Sequence, residues 1–191
     1  MKTERKVVVI GGSAGSIDVL LRLLPALRGP LRFAIVVVIH RKNAADSVLA
    51  TLLAFKTEIP LKEVEDKDPI LPNTIYLAPA DYHLLLEREG FFSLDDSEKI
   101  NFSRPSIDVT FETAADVYGA GAVGILLSGA NADGAEGLNA IARAGGLTVV
   151  QQPETARVDF MPMQALAVAA VDRVLNTDDM AALLNGLNRQ E

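Results

Sequence analysis

Residues 6–24 read KVVVIGGSAGSIDVLLRLL, and the order of their parts decides the fold. Val7, Val8, Val9 and Ile10 form an apolar, β-branched run of the length expected for a strand buried on both faces. Ile17, Leu20, Leu21 and Leu24 are spaced as one face of an amphipathic helix. Between them lies GGSAGS, residues 11–16. A strand that turns directly into a helix leaves unpaired N–H groups at the helix start, at the carboxyl end of the sheet. Negative charge is stabilised there, whether it arrives bound or develops during a reaction.

Outward from this unit, Arg28, Gly29 and Pro30 break the helix, and FAIVVVI (33–39) is a second buried strand. Strand, helix and strand in about forty residues make a βαβ unit with a right-handed crossover. His40 follows the second strand, on the same sheet edge as Ser13 if the strands are parallel. Residues 47–55 read as a short helix and 74–78 as a strand. Residues 83–87 and 91–94 read as a hairpin antiparallel to the main sheet. Helix and strand then alternate: a helix over 105–118 with Asp108 complementing its dipole, and a strand over 123–127. A helix over 135–144, a strand over 147–150 and a helix over 161–169 follow. A last helix over 178–187 has Thr177 as N-cap. The expected architecture is α/β: a doubly wound, mostly parallel sheet with helices on both faces and an appended antiparallel hairpin. One domain over 1–191 is expected.

Composition excludes several classes. The 191 residues are 49% hydrophobic with a mean hydropathy of +0.23, enough for one well-filled core. Eighteen Lys and Arg against 25 Asp and Glu give a net charge of −7, with no basic tract, so no nucleic-acid partner is expected. The chain has no cysteine, which removes disulfides, thiolate metal sites and a Cys nucleophile. Lys2, Glu4, Arg5 and Lys6 beside a four-residue apolar run do not resemble a signal peptide. No run approaches the ~20 apolar residues of a membrane helix, so the cytoplasm is the expected compartment and membrane insertion is not expected. No metal or cofactor is expected, and a monomer is.

Residues 11–15, GGSAG, satisfy G-x-S-x-G, in which small neighbours let a serine hydroxyl project from a sharp strand-to-helix turn. The turn alone serves equally as a phosphate-binding loop. The glycines at 11, 12 and 15 fit the dinucleotide fingerprint G-x-G-x-x-G badly, and no G-K-[ST] follows. The company of Ser13 favours catalysis. A serine needs a base to remove its proton and a third group to orient that base. His40, one of two histidines, ends the neighbouring strand, and Asp133 lies in a glycine-bounded turn after a third strand. The order Ser13, His40, Asp133 differs from that of the α/β-hydrolases.

VIGGSAG (9–15), VVIH (37–40), YLAPADYHL (76–84), RPSID (104–108), LSGANADGA (127–135) and Met161-Pro162 resemble, in order, the segments of the chemotaxis protein-glutamate methylesterases, the CheB family. The resemblance implies Ser13 as nucleophile, His40 as general base and acid, and Asp133 as the carboxylate orienting His40. It implies oxyanion donors at the backbone N–H groups of Ala14 and Ala130, and hydrolysis of glutamate γ-methyl esters on chemoreceptor helices with release of methanol. Arg104 is a candidate for contact with an acidic receptor segment. Ala130 and Arg41 stand where family members often carry methionine, and Ser16 where glycine is common. Family members usually carry a receiver domain, for which this chain has no room, so a separate receiver protein is an expected partner. His83 is expected to be structural. Two alternatives remain: the same triad acting on another ester, small or protein, and a non-enzymatic nucleotide- or phosphate-binding module.

Overall fold

The structure, a computed structural model, describes residues 6–41 and 47–189. Lys2, Glu4 and Arg5 lie outside the described residues. Among the described residues, seven strands form one parallel sheet in the order β3-β4-β2-β1-β7-β8-β9. These are β1 (Val7–Gly12), β2 (Ala34–Ile39), β3 (Leu61–Glu63), β4 (Ile75–Leu77), β7 (Ala122–Leu126), β8 (Leu147–Gln151) and β9 (Arg173–Leu175). The helices are α1 (Ser16–Leu23), α2 (Ser47–Phe55), α3 (Ile107–Tyr118), α4 (Ala135–Arg143), α5 (Phe160–Val168) and α6 (Thr177–Leu187).

The two faces of β1 enter different cores, which is why its sequence shows no polar alternation. Val8 and Ile10 pack with Leu20 and Leu23 of α1, Leu53 of α2 and Leu184 of α6. Val7 and Val9 belong to the opposite core, with Phe111 of α3, Leu138 of α4 and Met161 of α5. The sheet is thus wound in both directions from β1. Its first crossover runs through α1 to β2, and its other neighbour, β7, follows α3 on the opposite face. A crevice at the carboxyl ends of β1, β2 and β7 is the expected place for a site in such a sheet.

The hairpin, β5 (His83–Leu86) and β6 (Phe92–Asp95), is antiparallel within itself but forms a separate two-stranded sheet instead of joining the main one. Leu84, Leu86 and Phe92 point into the α3 side of the core, and Thr110 Oγ1 donates to the Leu84 carbonyl at 2.8 Å. Its edge is therefore engaged by a helix. Two helix starts also differ from expectation. Pro105 lies outside α3, whose N-cap position is Ser106. The N-cap of α6 is Asn176, whose side chain accepts from the Asp179 amide at 2.9 Å, and Thr177 is already helical. The edge strands β3 and β9, three residues each and partly exposed, bury too little to leave a hydrophobic signature.

Candidate active site

The β1–β2 register pairs Gly12 with Ile39, so Ser13 and His40 are the next residues along two adjoining strands. The His40 amide donates to the Gly12 carbonyl at 3.2 Å, and the Ser13 amide donates to the Ser128 carbonyl, beyond β7, at 2.9 Å. Three strand ends are thereby tied together around Ser13. Gly129 permits the closest of these approaches: a Cβ there would lie 3.0 Å from Ser13 Cβ and 2.7 Å from Met161 Sδ. Ser128, buried below, donates its hydroxyl to the Ala14 carbonyl at 2.7 Å and accepts from the Val158 amide at 2.9 Å. The Ser13 turn and the 128–130 turn are therefore held as one piece.

His40 and Asp133 are in direct contact, with His40 Nε2 2.7 Å from Asp133 Oδ2. An ionised carboxylate only accepts, so Nε2 carries the proton and Nδ1 is the basic nitrogen. Nδ1 faces Ser103 Oγ at 3.4 Å. The Ser13 hydroxyl makes no hydrogen bond among the described residues.

Asp133 is fully buried, and its two oxygens accept from more than the imidazole. Oδ2 also accepts from the Ile107 amide at 2.6 Å. Oδ1 accepts from Ser106 Oγ at 2.8 Å, Asn101 Nδ2 at 3.1 Å and the Asp108 amide at 3.2 Å. Burial alone would raise this carboxyl, but the bonds from His40 and from the Ile107 amide outweigh it and hold Asp133 below the usual carboxylate range. The carboxylate therefore sits on the N-terminus of α3, although in sequence it precedes α4.

Asp108 makes the converse connection. It lies in the first turn of α3, yet its Oδ1 accepts from the amides of Gly134 and Gly137 at the start of α4, at 2.9 and 2.7 Å. Each helix is capped by the carboxylate belonging to the other. Asp108 stands in the first turn of its own helix, as expected, and its side chain additionally reaches across to the amides of α4. The N-cap position of α4 is Gly134, so Asp133 does not cap the helix it precedes. Asn101 Nδ2 bridges the two acids, donating also to Asp108 Oδ2 at 2.8 Å. Burial raises Asp108 to about 6, with the neighbouring Asp133 charge adding to it against the Gly137 and Gly134 bonds.

The remaining candidates fall into two groups. Ala14 and Ala130 are exposed, on the two turns that flank Ser13, and their amides donate to no group among the described residues. Arg104, in contrast, is engaged in the fold: its Nη1 donates to the carbonyls of Asp96 and Ser97 at 2.7 and 2.8 Å. Arg41 reaches Glu63 at 3.2 Å and the Ala78 carbonyl. His83 is structural as expected, since its Nδ1 accepts from the Ser106 amide at 3.1 Å and its Nε2 donates to the Glu98 carbonyl at 2.8 Å. Sequence reasoning missed Asn101, Ser103 and Ser106 as partners of the His40–Asp133 pair. The only available signal was their position inside and just before RPSID. Among the described residues no helix is long and apolar enough to cross a membrane.

Comparison with known proteins places the chain in a family. The family model described as CheB methylesterase matches residues 8–184. A Leptospira interrogans protein with the provisional name protein-glutamate methylesterase/protein-glutamine glutaminase is 43% identical over 182 residues, covering 95% of this chain and 94% of that one. A Rhodospirillum rubrum protein-glutamate methylesterase/protein-glutamine glutaminase is 34% identical over 94% of this chain, which spans 50% of its length. The crystal structure of the Thermotoga maritima CheB methylesterase catalytic domain superposes with a TM-score of 0.92 at 34% identity, over 97% of this chain and 100% of that one. The chain belongs to the CheB methylesterase family.

Proposed function

We propose that Ser13, His40 and Asp133 hydrolyse γ-methyl esters of glutamate side chains on chemoreceptors. The observation that carries this reading is the 2.7 Å contact of His40 Nε2 with a buried, fully hydrogen-bonded Asp133, at the strand end next to Ser13. That contact fixes the tautomer and leaves Nδ1 as the base. Neighbouring strands are about 4.8 Å apart. In this reading the Ser13 hydroxyl takes the place of Ser103 at Nδ1 when substrate binds, since catalytic hydrogen bonds commonly tighten only in the complex.

Ser13 Oγ attacks the ester carbonyl while Nδ1 accepts its proton. The oxyanion is received by the free amides of Ala14 and Ala130, each such donor being worth about 10²–10³ in rate. Imidazolium then gives its proton to the departing methoxide, and methanol leaves. Water, deprotonated by Nδ1, attacks the acyl-enzyme to release the glutamate carboxylate and restore Ser13. A glutamine side chain follows the same course with ammonia as leaving group, the second activity in the relatives' names. Arg104, held by two carbonyls, is assigned to bracing the 96–104 loop. Supply of methyl-esterified receptor fragments to the purified chain should release methanol, and Ser13→Ala should not. Equal release by both proteins would remove Ser13 from the mechanism.

A further inference from the structure

The turn that touches His40 and Asp133 carries an aromatic residue that the fold does not explain. The Ile100 amide donates to the Ser103 carbonyl at 3.1 Å and the Ser103 amide to the Ile100 carbonyl at 2.9 Å, closing a two-residue reverse turn. Both central residues are left-handed, Asn101 at φ 52° and Phe102 at φ 62°. Such turns favour asparagine followed by glycine, because a Cβ in the second position meets the backbone. Asn101 fits the preference; Phe102 does not. A bulky residue at positive φ is an outlier that needs a reason. Packing supplies none, since Phe102 is 97% exposed, the highest value among the described large hydrophobic residues. The ring gains no burial in return for its strained backbone.

The same turn is clamped to the catalytic groups on its inner side. Asn101 Nδ2 reaches Asp108 and Asp133, Ser103 Oγ lies 3.4 Å from His40 Nδ1, and Asn131 Nδ2 approaches both the Asn101 carbonyl and Ser103 Oγ at 3.5 Å. These bonds fix the tip's place relative to the His40–Asp133 pair, and beside it Ile100 is 41% exposed. An exposed, rigidly displayed aromatic at the lip of a site has the features of a recognition anchor.

The geometry points to Phe102 as a docking residue for the polypeptide that bears the ester, its ring taking an apolar side chain of that polypeptide close to the esterified glutamate. This inference rests on the methylesterase reading above and adds to it the means by which a protein ester is preferred to a small one. Loss of an apolar contact of this kind changes specificity by about 10–200-fold.

The test compares wild type, Phe102→Gly and Phe102→Leu on three probes. These are a glutamate γ-methyl ester peptide with leucines near the ester, the same peptide with serines in their place, and 4-nitrophenyl acetate. In Phe102→Gly the ratio of kcat/KM on the leucine peptide to that on 4-nitrophenyl acetate should fall at least about tenfold, mainly through KM. Phe102→Leu should lie between the two, and the serine peptide should show no such fall. Phe102→Gly should melt no lower than wild type, because glycine suits the left-handed position. A ratio that stays within twofold overturns the proposal, as does an equal fall on all three probes, which marks a structural role. Loss of self-association in Phe102→Gly with the ratio unchanged also overturns it, in favour of a contact between copies. A wild type that cleaves none of the probes overturns the methylesterase reading and this inference together, an outcome distinct from all the others.

Discussion

Two sets of helix N-termini meet at the carboxyl edge of the sheet, and they are treated oppositely. At α3 and α4 the first-turn amides are taken up by buried carboxylates, each acid crossing to the other helix. At the Ser13 turn, before α1, the Ala14 amide is left without a protein acceptor among the described residues, and so is Ala130 on the facing turn. The difference teaches where the molecule fixes its parts and where it waits for charge. Satisfied amides hold His40 through Asp133 in one orientation. In the proposed mechanism the open amides act when an oxyanion forms between them. Stability should therefore concentrate on the capped side and turnover on the open side.

Ser13→Ala should break the contrast most sharply. A loss of roughly 10⁶ in turnover is the scale seen when a triad serine is removed, with the melting temperature unchanged because none of the described residues bonds the hydroxyl. Methanol release and a thermal melt measure the two halves. Asp133→Asn should affect both sides at once. A fall of roughly 10⁴ follows from loss of the correct tautomer, as in serine proteases. A fall in stability should accompany it, because α3 loses a charged cap; kcat and denaturant midpoints report them. Gly137→Ala should act through the capped side first. Its Cβ would lie 2.7 Å from Phe111 Cβ and 2.8 Å from Asp108 Cα, so the helices must part. Such overpacking costs about 1–3 kcal/mol in urea unfolding.

The smallest effect is in pH. Asp108 is raised to about 6 in the folded state, so the native protein binds more protons than the unfolded chain between the two pKa values. Its contribution to stability is present in full below the unfolded value and is lost as pH rises through about 6. Glu112, also raised by desolvation, acts in the same direction, whereas lowered Asp133 acts only in more acidic solution. Melts of wild type across pH 5–7.5 should decline relative to Asp108→Asn; parallel curves would assign the slope to other groups.

Much of this was legible in the chain. The long apolar runs of β1 and β2 and the glycine-rich turn between β1 and α1 announced a parallel sheet and put the candidate site at its carboxyl edge. The edge strands were not legible because three half-exposed residues carry no pattern. Asp108 was read correctly into the first turn of α3, but its bonds were not legible. Helix-start rules assign an acid to its own first turn, whereas here two helices approach closely enough for each acid to find the other's amides.

The sequence by itself determined the βαβ frame, the strand ends that bear Ser13 and His40, and the family, because these depend on local order and spacing. Only the tertiary structure decided which oxygen meets which nitrogen. Asn101, Ser103, Ser106 and Asp108, all within one short stretch, meet Asp133 and His40, which lie far from that stretch in the chain, and hydrogen bonds act over about 3 Å of space whatever the distance along the chain.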